Sequence, residues 1–337
     1  MREGLNPNKD TKSNKENYLH QVILPVYIPN DLGYFREALN ILEVCINSLV
    51  SSSSKKTFIS IVSNGSSLIV EKYLEELYKK GAIQELMFTE NIGKLNSIFK
   101  AVAGHNFPLV TIADSDTYFV AGWQDATYKI YNNYKKVGTV GLIPQFLSYQ
   151  SNCEQLLFDE FFNNKLYFGK VEDPLALAEF YRSIGWEPNY PKERLEHILY
   201  LHKMNLKAIV GSGHVVATYR RELFKGIPYY NPYKMGGDSE SVLDNLTENK
   251  GYYRLTTANN FAFHLGNKLD SNFKEILNKE KIEIGSFPLE LFESSKKPIL
   301  ILYLFKKKII QIVMKRYRLR MLFLKLKGLN KKARRNF

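Results

Sequence analysis

The sequence predicts an α/β fold: a doubly wound, mostly parallel sheet with a C-terminal basic, amphipathic helical tail. Three observations predict it. Over the first 145 residues, short apolar runs alternate with segments whose apolar residues recur every three or four positions, the pattern of successive strand–helix units. The run Leu109-Val110-Thr111-Ile112-Ala113 shows no polar alternation, as a strand buried on both faces requires. After Glu293 the chain carries 15 Lys and Arg and no Asp or Glu, interleaved with runs such as ILILYLF and IIQIVM.

The elements follow in order. Val22 to Ile28 is a first strand, with Pro25 implying a strand end or edge because proline has no N–H for a ladder. Leu32, Phe35, Leu39, Leu42, Ile46 and Leu49 form one helical face. Thr57 to Val62 is a second strand, running into the turn Ser63-Asn64-Gly65-Ser66. Leu68 to Lys80 is a helix ended by Gly81, and Ile83 to Phe88 a third strand. A polar turn, Asn91-Ile92-Gly93-Lys94, precedes a helix over Leu95 to Val102. The apolar strand at 109–113 comes next, then a helix from Trp123 to Lys135 and a strand from Thr139 to Ile143.

Composition narrows the function classes. With 337 residues and 45% hydrophobic content, the chain can bury a sizeable core. Cys45 and Cys153 form no C-x-x-C pair, so neither a zinc site nor a disulfide framework is implied. The net charge of +13 resides in the tail, since the first 293 residues hold 32 of the 47 basic groups against all 34 acids. That distribution argues against nucleic acid as a partner, which would want cations across the body. No apolar stretch reaches the ~18 residues of a membrane span. Residues 1–20 lack a signal peptide's apolar segment and are expected to form a mobile arm. There is no P-loop and no G-x-G-x-x-G after the first strand.

The chemistry centres on Asp114-Ser115-Asp116, where the buried strand ends. Carboxylates at i and i+2 of an extended chain point the same way. At the carboxyl end of such a strand they stand where open α/β sheets bind ligands. Two converging anions call for a cation, and oxygen ligands suit Mg²⁺ or Mn²⁺, which in turn hold a diphosphate. Asp at a strand end also starts turns and caps helices, so the pair alone is a weak signal.

The series VILPVY, the Ser-Asn-Gly-Ser turn, Glu90-Asn91-Ile92-Gly93-Lys94 and then IADSD resembles a GT-A glycosyltransferase, family 2 being closest in type. The resemblance covers roughly Gln21 to Asn267. It implies a nucleotide-sugar site built from Pro25, Tyr27, Asn64, Asn91, Gly93, Lys94, Asp114 and Ser115. Asp114 and Asp116 would be metal ligands, and His264, in FAFHLGN, would complete the shell. The family's second strand usually ends in an Asp that holds the nucleotide base, and here Ser63 and Asn64 stand in its place. Its catalytic base matches Asp238 by a one-residue shift, with Glu240 as rival, in Met235-Gly236-Gly237-Asp238-Ser239-Glu240. Acids in a first helical turn also complement the helix dipole without any catalysis.

Pro144 to Leu206 is rich in aromatic residues, read mainly as the core of a helical subdomain on the acceptor side. Trp186 and Tyr190 lie near Gly185 and Pro188, in a loop, and are candidates for stacking on a sugar. Ile209 to Thr218 resembles the strand that returns beside the donor site, and His214 within it reads as structural. The organisation expected is an arm (1–20), a nucleotide-sugar half (21–145), an acceptor half (146–293) and a membrane-binding tail (294–337). The tail's pattern suits an anionic membrane surface.

The resulting expectation is a Mn²⁺- or Mg²⁺-dependent transferase that moves a sugar from a UDP- or GDP-linked donor. Its acceptor would be a membrane-borne or lipid-linked glycan, with inversion implied by the resemblance. The protein would be cytoplasmic, peripheral on the inner face of the membrane. A sugar nucleotidyltransferase and an inactive membrane scaffold of the same fold are the alternatives.

Overall fold

The computed structural model describes residues 4, 7, 9, 11, 18–227, 230–269 and 300–337, with positions 237–240 and 300 described by backbone alone. The arm expected over 1–20 falls mostly outside the described residues. At its end Tyr18 packs edge-on against Phe58 and Phe107, and His20 already opens a strand.

Strands β1 (His20–Val26), β2 (Thr57–Asn64), β3 (Glu85–Thr89) and β4 (Leu109–Ala113) form a parallel set in the order β3-β2-β1-β4. β1 and β4 are buried along their whole length, as the absence of polar alternation in VILPV and LVTIA requires. Helices α1 (Ala38–Ser52), α2 (Leu68–Lys79) and α3 (Lys94–Val102) connect them. The expected elements stand within a few residues of their places, except that Leu32 to Phe35 stays outside α1, in a loop and a short 3₁₀ turn.

Pro25 stands at the end of β1, one of its two expected places, and not on an edge strand. β1 is central, flanked by β2 and β4. The ladder to β4 ends at the pair Ile23 and Ile112, so Pro25 lies beyond it and its missing N–H costs no bond on that side.

Further along, β5 (Thr117–Phe119), α4 (Trp123–Asn133) and β6 (Val137–Gly141) follow. Between 144 and 206 the expected helical subdomain is instead mixed. It contains α5 (Glu154–Asp159), β7 (Leu166–Lys170), α6 (Pro174–Ser183), α7 (Glu193–Glu196) and β8 (His197–Lys203). The rings of this stretch pack on strands as readily as on helices, which is why composition misread it. The single strand expected over 209–218 is two: β9 (Leu206–Val210) and β10 (Val216–Arg220), parted by Gly211 to Val215.

Apart from β5, the strands named so far join one ten-stranded sheet, β3-β2-β1-β4-β10-β6-β11-β9-β8-β7, in which β11 is Tyr253–Thr257. β10 runs antiparallel between β4 and β6, so β4 and β6 are parallel to each other. β11 follows β6 in parallel, and β9, β8 and β7 extend the sheet as an antiparallel ladder. β12 (Ala262–His264) pairs only with β5, in a small ribbon beside the end of β4. Helix α8 (Gly237–Asn249) precedes β11.

The tail is part of the folded body. Helices α9 (Leu300–Lys315), α10 (Tyr317–Leu326) and α11 (Lys331–Arg334) bring Ile310, Phe323, Leu324, Leu329 and Phe337 into a core shared with Leu156, Leu166, Phe168 and Leu199. Backbone and side-chain bonds hold it there, from Phe168 N–H to the Lys327 carbonyl (2.7 Å) and from Arg194 Nε to the Asn336 carbonyl (2.8 Å). Among the described residues no helix is long and apolar enough to cross a membrane.

One buried group makes stability depend on pH. His20 is fully enclosed, its Nδ1 2.9 Å from Tyr128 Oη and its Nε2 2.6 Å from Thr111 Oγ1. Burial pushes its pKa down from 6.5 to about 3. The unfolded chain therefore binds the extra proton first. Stability from this group is complete above pH 6.5 and declines as pH falls toward 3, by about 1.4 kcal/mol per unit. Urea unfolding at pH 6 and pH 5 should show that decline in the wild type, and His20→Gln should lose about that much less. Equal declines would mean that His20 is protonated in the fold.

Candidate active site

A cleft of about 480 Å³ opens where β1 and β4 end. Pro25 and Tyr27 come from the end of β1, and Asn64 from the end of β2. Asn91 and Lys94 come from the turn into α3, Asp114, Ser115 and Asp116 from the turn after β4, and His264 from β12. Tyr34 and Phe35 complete an aromatic wall, with the Tyr27 and Phe35 rings edge-to-face at 5.9 Å.

The carboxylates are held by backbone. Asp114 N–H donates to the Val215 carbonyl (2.8 Å), Thr117 N–H to the Asp114 carbonyl (3.2 Å) and Leu265 N–H to the Asp116 carbonyl (2.8 Å). Strand β10 and the β5–β12 ribbon thus clamp the turn from both sides. Lys94 Nζ reaches Asp114 Oδ1 at 2.5 Å. Burial raises the Asp114 pKa, with Lys94 opposing and Asp116 reinforcing the shift. Asp114 Oδ1 and Asp116 Oδ1 are both enclosed and have no hydrogen-bond partner among the described residues, Asp114 Oδ1 having only the Lys94 ion pair.

His264 Nε2 lies 3.3 Å from Asp116 Oδ2, and its Nδ1 lies 2.9 Å from Ser183 Oγ. Burial alone would lower the imidazole's pKa. The hydrogen bond and charge of Asp116, with Asp114 behind it, hold it above the ordinary value. Ser183 is a residue that sequence reading missed. It sits at the end of α6, far from His264 in sequence, and no local pattern marks it.

The donor set tests the expected ion. By chemistry the carboxylate oxygens suit Mn²⁺ or Mg²⁺ and the imidazole suits Mn²⁺, but the three side chains do not close on one point. Asp114 Oδ1 is already matched to the Lys94 ammonium. No three His, Cys, Asp or Glu side chains converge as a ready-made metal cage among the described residues. An ion here would have to take part of its shell from its ligand.

Asn64 is more engaged than expected. Its Oδ1 accepts from Ile92 N–H (2.9 Å) and Thr89 Oγ1 (3.3 Å), and its Nδ2 donates weakly to Asn91 Oδ1 (3.5 Å). It clamps the 89–92 turn, leaving little of the amide to read a base edge. Gly93 has φ +89, and a Cβ there would lie 2.8 Å from Lys234 Cα and 2.9 Å from the Tyr233 carbonyl. Lys94 N–H donates to the Lys234 carbonyl (2.9 Å), so the segment before α8 rests on the turn into α3. Gly93→Ala should push that segment away and strain the backbone. A drop of several degrees in Tm with weaker ligand binding is expected, and an unchanged Tm would remove the close approach.

Lys234 and Met235 reach the cleft, although only Met235 belonged to the constellation singled out in sequence. Asp238 and Glu240 stand in the first turn of α8, immediately beyond, and their side chains lie outside the described residues. Trp186 and Tyr190 do not line the cleft. They gather with Phe146 and Tyr181, Trp186 5.2 Å from the Tyr181 ring and Tyr190 5.3 Å from Phe146. His214 faces Asp244, 3.8 Å away, and Asp244 also binds Arg254 at 2.6 Å, which fits the structural reading of His214.

Fold and site define a mixed α/β protein with a carboxylate-lined cleft at the strand ends. No family model matches the chain, and no curated protein matches it. Similar solved structures include S. aureus TarS 1-349, 14% identical with a TM-score of 0.40, over 72% of this chain and 59% of that one. Another is the mannosyltransferase PcManGT from Pyrobaculum calidifontis in complex with GDP-Man and Mn²⁺, 15% identical with a TM-score of 0.40, over 74% and 59%. A third is GalNAc-T7 with UDP, GalNAc and Mn²⁺, 13% identical with a TM-score of 0.47, over 73% and 44%. The match spans less than two thirds of each of these three chains. A likeness this distant says nothing of what this chain binds.

Proposed function

We propose that this chain is a GT-A glycosyltransferase that moves a sugar from a nucleoside-diphosphate donor to an acceptor hydroxyl. The observation that carries the reading is the convergence of Asp114 and Asp116 with Lys94, His264 and an aromatic wall in one cleft at the ends of β1 and β4. Such strand ends are where open α/β sheets bind ligands. The wall of Tyr27, Tyr34 and Phe35 suits a base, and the Lys94 ammonium suits a diphosphate.

In the reaction, the acceptor oxygen bonds to the anomeric carbon as the bond from that carbon to the phosphate oxygen breaks. The electron pair leaves with the nucleoside diphosphate, and the acceptor proton passes to a carboxylate, Asp238 or Glu240. A single displacement of this kind inverts the anomeric centre. Lys94 turns from Asp114 toward the charge that grows on the leaving diphosphate. Asp114, Asp116 and His264 would hold Mn²⁺ or Mg²⁺, which supplies further neutralisation of that charge. A membrane-borne or lipid-linked glycan as acceptor, and a peripheral place on the inner face of the membrane, fit the cationic tail.

Release of nucleoside diphosphate from a panel of UDP- and GDP-sugars, with and without Mn²⁺, tests the reading. A transferase releases it. A nucleotidyltransferase instead requires a nucleoside triphosphate and a sugar phosphate, and a scaffold turns over neither.

A further inference from the structure

Far from the cleft, three apolar protrusions surround a cationic hollow. Phe162, in the loop after α5, is 96% exposed. Met204, at the turn between β8 and β9, is 72% exposed and holds the left-handed φ of +53° that disfavours a bulky residue. Ile301, in the first turn of α9, is 80% exposed, and Phe305 beside it is largely in solvent. Water alone gives no reason for such residues to stand together.

Contacts tie the three into one surface. Phe161 packs on Phe323 of α10 and on Phe162 (5.9 and 5.1 Å), and Phe158 faces Phe305 at 6.4 Å. His202 N–H donates to the Lys165 carbonyl, which joins the β8–β9 hairpin to the Phe162 loop. Between them lies a hollow of about 600 Å³ lined by Lys135, Lys136, Lys165 and Lys203, with Asp159 and Glu160 as its acids. Asp159 is taken up by Lys136 (2.9 Å) and Lys306 (2.5 Å). Lys135, Lys165 and Lys203, also of its lining, are exposed.

We propose that this surface docks on an anionic bilayer, with headgroup phosphates over the lysine-lined hollow and Phe162, Met204, Ile301 and Phe305 at the acyl boundary. Apolar tips around cations match an interface that is anionic outside and apolar beneath. A polynucleotide would satisfy the lysines but leave the tips in water. The docking surface is thus a composite of the body and the start of α9, rather than the tail alone.

The topology adds an orientation. The hollow lies where β6 and β11 begin, beside Lys136 and Tyr253. The carboxylates lie where β4 ends, and β4 runs parallel to β6. Cleft and docking surface therefore stand at opposite ends of the sheet's strands. If the cleft is the transferase site proposed above, its acceptor is the far end of a membrane-rooted chain rather than a sugar at headgroup level.

The test uses the full chain, because the tail covers core residues and its removal would expose them. Wild-type protein should sediment with phosphatidylcholine vesicles containing about 30 mol% phosphatidylglycerol, not with phosphatidylcholine alone, and should be released by about 0.5 M salt. The triple variant K135E/K165E/K203E should bind roughly a hundredfold more weakly. The pair F162S/M204S should bind about tenfold more weakly at unchanged charge. Inorganic phosphate should displace no more protein than chloride of equal ionic strength. Either variant binding as the wild type does, displacement by phosphate beyond the chloride control, or tighter binding of an RNA oligomer at the same salt would each overturn the proposal. Donor hydrolysis read on the same samples keeps the two readings apart. Both variants should retain it, showing an intact fold, and its absence in the wild type would remove the transferase reading while the vesicle result stands.

Discussion

Asp116→Ala should lower Mn²⁺-dependent donor turnover about a thousandfold. Neutralising the charge that develops on a leaving diphosphate is worth several kcal/mol, and about 4 kcal/mol is a factor of a thousand in rate. Asp114 Oδ1 and Asp116 Oδ1 are both enclosed without a hydrogen-bond partner among the described residues, but Asp114 Oδ1 has the Lys94 ammonium beside it as an ion pair at 2.5 Å. Asp116 keeps the carboxylate oxygen with no cation against it, and its loss should cost more than that of Asp114. The fold should survive, because alanine keeps the backbone bond from Leu265 N–H to the residue 116 carbonyl and loses only the side-chain pairing with His264. Two readouts decide the matter: steady-state release of nucleoside diphosphate across a Mn²⁺ series, and the thermal shift produced by donor with and without the ion. Turnover with the wild-type dependence on Mn²⁺ would move the ion elsewhere or remove it from the reaction.

Removing the proton acceptor should cost transfer and spare donor binding. Asp238→Asn and Glu240→Gln each keep the shape of the first turn of α8 and delete one carboxylate. Loss of a general base typically lowers the rate by about 10² to 10⁴. The variant that loses transfer while its donor-induced thermal shift stays at the wild-type level identifies the base. The segment before this turn touches the cleft through Lys234 and Met235, which brings α8 to the rim where an acceptor would enter. Full transfer by both variants would take α8 out of the chemistry.

Much of the parallel half of the sheet was legible. β1, β2 and β4 are apolar runs of strand length, and the helices between them show their buried faces at three- and four-residue steps. The aspartates at the end of β4 were legible for the same reason, since their place depends on a local change from apolar to acidic. The stretch from 144 to 206 was not. Phe158, Phe161 and Phe168 pack in a core that β7 and β8 share with α9, α10 and α11, while Phe146, Phe180 and Tyr181 belong to the core of the parallel strands, and a ring buried under a distant element leaves no periodicity in its own segment.

The tail shows the same boundary. Its charge and amphipathic repeat are properties of the sequence, and they predict helices with a cationic side. Which face is buried is not a property of the repeat. Ile310, Phe323 and Leu324 turn into the body, while Ile301 and Phe305 remain outside, as does Phe162, a residue 143 positions earlier than Phe305 along the chain.

By itself, then, the sequence determined which segments form the parallel strands, that two carboxylates close one of them, and that the C-terminal segment is cationic and helical. Each of these depends on neighbours within a turn or a strand. Tertiary structure alone decided that Lys94 pairs with Asp114, that Ser183 steadies His264, and that Asn64 is spent on a turn. It also decided that β10 returns between β4 and β6, and so sets the lysine-lined hollow and the cleft at opposite ends of those strands. Those contacts join residues tens to hundreds of positions apart, and local pattern carries no record of which distant partner a side chain will meet.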